Sequence, residues 1–179
     1  MAERAVYSYR VLLFEKHASG AFLRPDEYPR RAIATVTTHD LPTLKGYWTA
    51  SDIALRQRLA LYPSEELRNY VAEERVRDRR ALLEALGRQG LLPADCDDSG
   101  DSYSDALSVA IHVYLARSNS ALVVLQAEDL VAMADPVNVP GTCDEHANWQ
   151  RKMDCDLDGI FGNPQVRRLL DAVQVARSG

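Results

Sequence analysis

The stretch Arg31-Ala32-Ile33-Ala34-Thr35-Val36-Thr37, continuing as Thr38-His39-Asp40-Leu41-Pro42-Thr43, decides how this chain reads. Residues 31–37 are apolar and β-branched, the pattern of a strand covered on both faces of a parallel sheet. The strand runs into a His-Asp pair, and a proline two residues later marks a loop. A carboxylate at that place is costly unless it is paired, hydrogen-bonded or used. In α/β barrels the carboxyl ends of the strands are where active sites are built. A loop-capping Asp beside a satisfied core His fits the same residues, so context alone leaves both readings open.

Working outward, residues 5–14 carry Val6, Tyr7, Tyr9, Val11, Leu12, Leu13 and Phe14, a second strand that is too apolar for an exposed edge. Glu15 to Gly20 is a polar turn, and Pro25, Tyr28 and Pro29 continue it, so the crossover to residues 31–37 is mostly loop. Residues 121–126 (Ala121-Leu122-Val123-Val124-Leu125-Gln126) form a third, buried strand that runs into Glu128-Asp129-Leu130.

Helical patterns fill the remainder. Thr49 and Asp52 have capping-box spacing ahead of Ile53, Leu55, Leu59 and Leu61, and Pro63 ends that segment. Ser64 caps a longer helix, with Glu65 and Glu66 in its first turn and Leu67, Val71, Leu82, Leu83 and Leu86 along it. Glu73 with Arg77 is a surface pair on that helix, and Gly87 and Gly90 close it. Ser102 and Asp105 suggest a cap for a helix whose inner face is Leu107, Ala110, Ile111, Tyr114 and Leu115, with His112 as a structural neighbour. A final helix starts at Asn163-Pro164 and turns Val166, Leu169, Leu170 and Val173 to one side. Strand, helices and strand in alternation imply an α/β fold with parallel pairing. There is no internal repeat, low-complexity tract or linker, so residues 1–179 read as a single unit.

A net charge of −5 argues against a nucleic-acid binder, because no basic field is available to neutralise phosphates. Arg79-Arg80 and Arg167-Arg168 read as solvated helix positions. The 46% hydrophobic content is that of an ordinary globular domain, and no apolar run has the length of a membrane span. Three cysteines, Cys96, Cys143 and Cys155, give neither a disulfide framework nor a zinc knuckle, and a reducing cytoplasm is the expected compartment. The first residues lack the apolar core of a signal peptide. Asp95, Asp97, Ser99 and Gly100 echo the start of a calcium loop, but Ala106 stands where its closing Glu belongs, so a solvated loop is the expectation. Asp144, Glu145 and His146 with His39 have metal-ligand types without a ligand spacing.

Three blocks carry a resemblance to the amylomaltases, or 4-α-glucanotransferases: Val6 to Glu15, Thr37 to Trp48, and Asn138-Val139-Pro140-Gly141-Thr142 with Glu145-His146-Ala147-Asn148-Trp149. They occur in the family's order and cover most of the chain. After the Asn-Trp pair, members often carry an Arg-rich run where this chain has Gln150-Arg151-Lys152.

The resemblance implies a (β/α)8 TIM barrel with insertions, of which this chain holds about the last three parallel strands. It implies transfer of α-1,4-glucan segments between maltodextrins by a retaining mechanism, with no metal or organic cofactor. The two carboxyl groups of that chemistry are expected upstream of Met1, in a missing N-terminal part of the barrel, so this chain alone is expected to be inactive. Asp40 matches the family's third, transition-state-stabilising carboxylate, and His39 a hydrogen-bonding partner of the same sugar. Asn138, Pro140 and Gly141 fall on the acceptor-side rim. Trp48, with Tyr47, either stacks on glucose rings or belongs to the core. Glu15, one strand position too late for the family's acid/base, reads as a charged loop entrance. With strand edges unpaired, the isolated chain is expected to self-associate. The alternative is a glycan-binding or interaction module without chemistry.

Overall fold

Three short strands lie side by side and all run parallel: β1 (Ser8–Val11), β2 (Ala32–Thr35) and β3 (Leu122–Val124), in that order. The computed structural model describes residues 6–94, 96 and 102–178. Tyr9 sits beside Ile33, which sits beside Leu122, and Thr35 lies between Val11 and Val124. Like-facing residues of neighbouring strands share a face. Ala34 and Val123 therefore face the helices and join the main core, while Tyr9, Ile33, Leu122 and Val124 lie on the opposite face. The calcium-loop echo at Asp95, Asp97, Ser99 and Gly100 lies outside the described residues.

The expected parallel order holds, but the strands are shorter and less covered than the apolar runs suggested. Residues 12–14 leave β1 as a 3-10 turn, and β1 is an edge strand with Tyr9 exposed. In β3, Leu122 and Val124 are 53% and 45% exposed and only Val123 packs inward. An apolar run shows that a face can be covered without showing what covers it.

Seven helices are described. α1 (Leu44–Trp48), α2 (Ser51–Arg58) and the long α3 (Glu65–Arg88) follow β2. α4 (Asp105–Ala116) precedes β3, and α5 (Ala127–Leu130), α6 (Leu157–Gly162) and α7 (Pro164–Ser178) follow it. Ser64 caps α3 by accepting the Leu67 N–H at 3.2 Å, as its sequence indicates. Two caps differ from expectation. Ser104, not Ser102, accepts the Leu107 N–H of α4. Thr49 closes α1 instead of opening α2, because Ala50 enters α2 in the left-handed region (φ 56°).

The core joins Leu12, Phe22, Ala34, Val36, Leu44 and Trp48 to Leu82 and Leu86 of α3 and Ile111 and Tyr114 of α4. α7 packs on α4 through Leu169 and Val173. Its Arg177 donates to the carbonyls of Ala116, Ser118, Ser120 and Ala121 between α4 and β3. No described helix is long and apolar enough to cross a membrane.

Candidate active site

All three strands deliver their carboxyl ends to the same edge of the sheet, and the loops after β2 and β3 are stitched together there. Thr37, two residues past β2, is buried, and its hydroxyl sits between Gln126 Oε1 and Asp129 Oδ2 of the segment after β3. Leu44 N–H donates to Asp129 Oδ1 at 2.7 Å. Thr43 caps α1 by accepting the Gly46 N–H at 3.0 Å and donates its hydroxyl to the Ala134 carbonyl at 3.1 Å. Gly46 is required by this approach, because a Cβ there would stand 2.6 Å from the Ala134 carbonyl oxygen.

Above that layer the loop presents His39 and Asp40. Their side chains are 58% and 52% exposed, with His39 Nε2 3.2 Å from Asp40 Oδ2. Asn138 donates its amide to Asp40 Oδ1 at 2.6 Å. A carboxylate offers about four lone-pair directions, so Asp40 keeps acceptor capacity toward solvent after both contacts. Trp149 lies against His39, ring centroids 5.3 Å apart, and is 62% exposed. Its backbone is left-handed (φ 62°), and its N–H donates to the Val137 carbonyl. Asn148 holds the intervening loop shut, accepting from Val139 N–H and donating to Thr142.

Asp40, Asn138 and Pro140 line one wall of a cavity of about 540 Å³ whose other walls come from the 3-10 turn after β1, α2 and α3. Its polar groups are mostly committed. Lys16 pairs with Asp78, which also accepts the Tyr47 hydroxyl at 2.9 Å. Arg75 makes a two-pronged pair with Asp52, 2.7 and 2.9 Å, and lies 3.7 Å above the Tyr47 ring. Leu55, Leu61, Tyr62, Val71 and Val139 supply an apolar lining.

A model of the family described as 4-alpha-glucanotransferase matches residues 1–157. The chain belongs to that family. The 4-alpha-glucanotransferase of Haemophilus influenzae is 36% identical over 180 residues, covering 98% of this chain and 25% of the relative. That of Mycobacterium tuberculosis is 31% identical over 186 residues, covering 97% and 24%. The crystal structure of amylomaltase from Corynebacterium glutamicum superposes with a TM-score of 0.82 at 28% identity, over 96% of this chain and 26% of that one. This family member thus spans about a quarter of the length of the relatives it matches, and its small parallel sheet with flanking helices is similar to part of an amylomaltase.

Of the residues singled out in the sequence, His39 and Asn138 each meet Asp40 directly, and Pro140 lines the same cavity as Asp40 and Asn138. Gly141 turns the rim at φ 91°, with Leu61 beside it. Trp48 is a correction. It is fully buried in the core and can stack on no sugar, and the Tyr47 ring is already covered by Arg75. Arg79 is a second correction, since it is buried and donates to the Trp48 carbonyl instead of facing solvent. Glu15 pairs with Arg10 at 3.5 Å. Burial pushes His112 toward its neutral form, with Nδ1 2.8 Å from the Ser108 carbonyl. Among the described residues no group of three or more His, Cys, Asp or Glu side chains gathers as a metal site.

The sequence alone assigns Trp149 and Asp129 no role in the site. Trp149 ends one of the blocks that carry the family resemblance. Asp129 follows an apolar strand just as Asp40 does, so the rule that flagged one applied equally to the other.

Proposed function

We propose that this chain is the part of a 4-α-glucanotransferase (β/α)8 barrel that supplies the transition-state-stabilising carboxylate, Asp40. The observation that carries the reading is the half-exposed Asp40, oriented by His39 on one oxygen and Asn138 on the other, at the carboxyl end of the central strand. A carboxylate held so can accept hydroxyls of the sugar at the scissile bond and favour developing oxocarbenium charge over the ground state. His39 hydrogen-bonds the same sugar, and Asn138, Pro140 and Gly141 shape the rim. Trp149 takes the stacking role that the buried Trp48 cannot fill.

The barrel reading is supported by the sheet itself. β1 and β3 each have an edge unpaired among the described residues, and the face away from the helices carries Tyr9, Ile33, Leu122 and Val124. Further strands of a closed barrel would cover both. In this reading the nucleophile and acid/base of retaining chemistry come from outside this chain. Of the cavity carboxylates besides Asp40, Asp52 and Asp78 are already engaged by Arg75, Lys16 and Tyr47, and Glu74 is an exposed residue of α3. The isolated chain is then expected to self-associate through the open sheet, which size-exclusion chromatography at micromolar concentration checks; a sharp monomer peak counts against it.

The deciding experiment is maltotriose binding and disproportionation by the purified chain, wild type beside Asp40→Asn. Binding without turnover, weakened about tenfold or more by the substitution, is expected. Turnover by the wild type would place the nucleophile and acid/base inside this chain, and no binding by either protein would remove the glucan site. Binding that Asp40→Asn leaves unchanged would favour a glycan-binding module without chemistry.

A further inference from the structure

The loop that carries His39 and Asp40 leaves β2 at Thr37 and re-enters regular structure at Leu44. Among its described backbone bonds, only a turn from Leu41 N–H to the Thr38 carbonyl lies inside it. Something else must therefore hold its shape. We propose that Asp129 is the positioning residue of the His39-Asp40 loop: its one carboxyl group grips both ends, Thr37 and Leu44, and so fixes where Asp40 and His39 stand. The clamp rests on geometry alone, and only its consequence for catalysis rests on the reading of Asp40 given above.

Asp129 is 2% exposed, and its two oxygens are divided between the ends of the loop. Oδ1 accepts the Leu44 amide at 2.7 Å, a donor that has no partner within α1. Oδ2 lies 3.1 Å from the Thr37 hydroxyl. Thr37 has one proton and faces two oxygens, Gln126 Oε1 and Asp129 Oδ2. Asp129 and Gln126 therefore compete for the single Thr37 proton. Burial pushes the Asp129 carboxyl up to about 6, against the pull of Leu44 N–H and Thr37, with Glu128 adding to the rise. Tyr103 also feels its charge. A side cavity of about 270 Å³ is lined by Asp129 together with Asp105 of α4 and Arg168 of α7. An amide at this position keeps both contacts, its oxygen accepting from Leu44 N–H and its NH2 donating to Thr37, whose own proton then goes to Gln126.

The test is NMR of the labelled chain, reading the His39 ring signals, which lie under the Trp149 ring current, and the exchange rate of the Leu44 amide. Asp129→Ala is expected to shift the His39 signals and speed Leu44 exchange at least tenfold, and Asp129→Asn to restore both. A folded Asp129→Ala with His39 and Leu44 unchanged overturns the proposal, as does an Asn variant that behaves like the Ala variant. If Asp129→Ala does not fold, Thr37→Val removes one arm of the clamp together with the Gln126 bond and leaves the Leu44 arm in place, and unmoved His39 signals there equally overturn the proposal. Maltotriose titration separates the two claims. A working clamp whose loop ignores maltotriose sinks the glucan site, while a loop that binds maltotriose but ignores Asp129 sinks the clamp.

Discussion

Two layers at the carboxyl ends of the strands treat acidic side chains in opposite ways. In the lower layer Asp52 and Asp129 are buried and their oxygens are committed: Asp52 to Arg75, Asp129 to Thr37 and Leu44. In the upper layer Asp40 is half exposed, tethered on each oxygen, and still open to solvent. The lower layer spends its hydrogen-bonding capacity on holding loops in place; the upper layer leaves some open to solvent. Substitutions should sort accordingly, with stability changing below and glucan binding changing above.

The largest effect is expected for Arg75→Ala. It leaves the Asp52 carboxylate buried without its partner, and the loss should be about 3–5 kcal/mol in urea unfolding. A loss under about 1 kcal/mol would mean that the pair is already hydrated and the lower layer is not closed.

Asp129 comes next, and pH reads it. Its carboxyl has an ordinary value of 3.8 and is raised to about 6 in the folded chain. A raised carboxyl stabilises the fold fully below the unfolded value and loses that contribution as pH rises through the folded one. Relative to Asp129→Asn, the wild type should therefore lose on the order of 2–3 kcal/mol between about pH 4 and pH 7. Parallel Tm-against-pH curves for the two proteins would show that Asp129 does not titrate in this window.

Gly46→Ala should follow. The added methyl would meet the Ala134 carbonyl oxygen at 2.6 Å, and overpacking of this kind costs about 1–3 kcal/mol, less the roughly 1 kcal/mol by which Ala favours a helix. The melting temperature checks it.

Least for the fold is Trp149→Ala in the upper layer. Its ring is exposed, so stability should change by under about 0.5 kcal/mol, while maltotriose affinity falls several-fold by calorimetry. An unchanged affinity would remove Trp149 from the site and leave His39 and Asp40 to carry it.

The legible part of this molecule is the part decided by local chemistry. The run at 31–37 gives β2, the central strand. Ser64 followed by two glutamates gives the start of α3, and a His-Asp pair after a strand gives the exposed loop where His39 and Asp40 stand together. What stayed hidden depends on partners distant in sequence. Trp48 and Trp149 are the same residue type beside equally suggestive motifs, yet Leu82, Leu86 and the rest of the core enclose one and solvent meets the other. Arg79 looked solvated because its neighbour in sequence is Arg80, whereas its neighbour in space is the Trp48 carbonyl. Leu122 and Val124 are as apolar as any core strand, yet they remain 53% and 45% exposed.

The bond from Asn138 to Asp40 joins residues 98 positions apart. Closing so long a chain segment carries an entropic cost that only tertiary docking offsets, and contacts of this range form late. A growing chain that has made β2 and α1 but has yet to lay β3 beside them therefore lacks the Asn138–Asp40 contact on which the proposed sugar site rests. The glucan affinity proposed for this chain should then appear only once the segment has finished assembling, which would make binding a chemical report on completed folding.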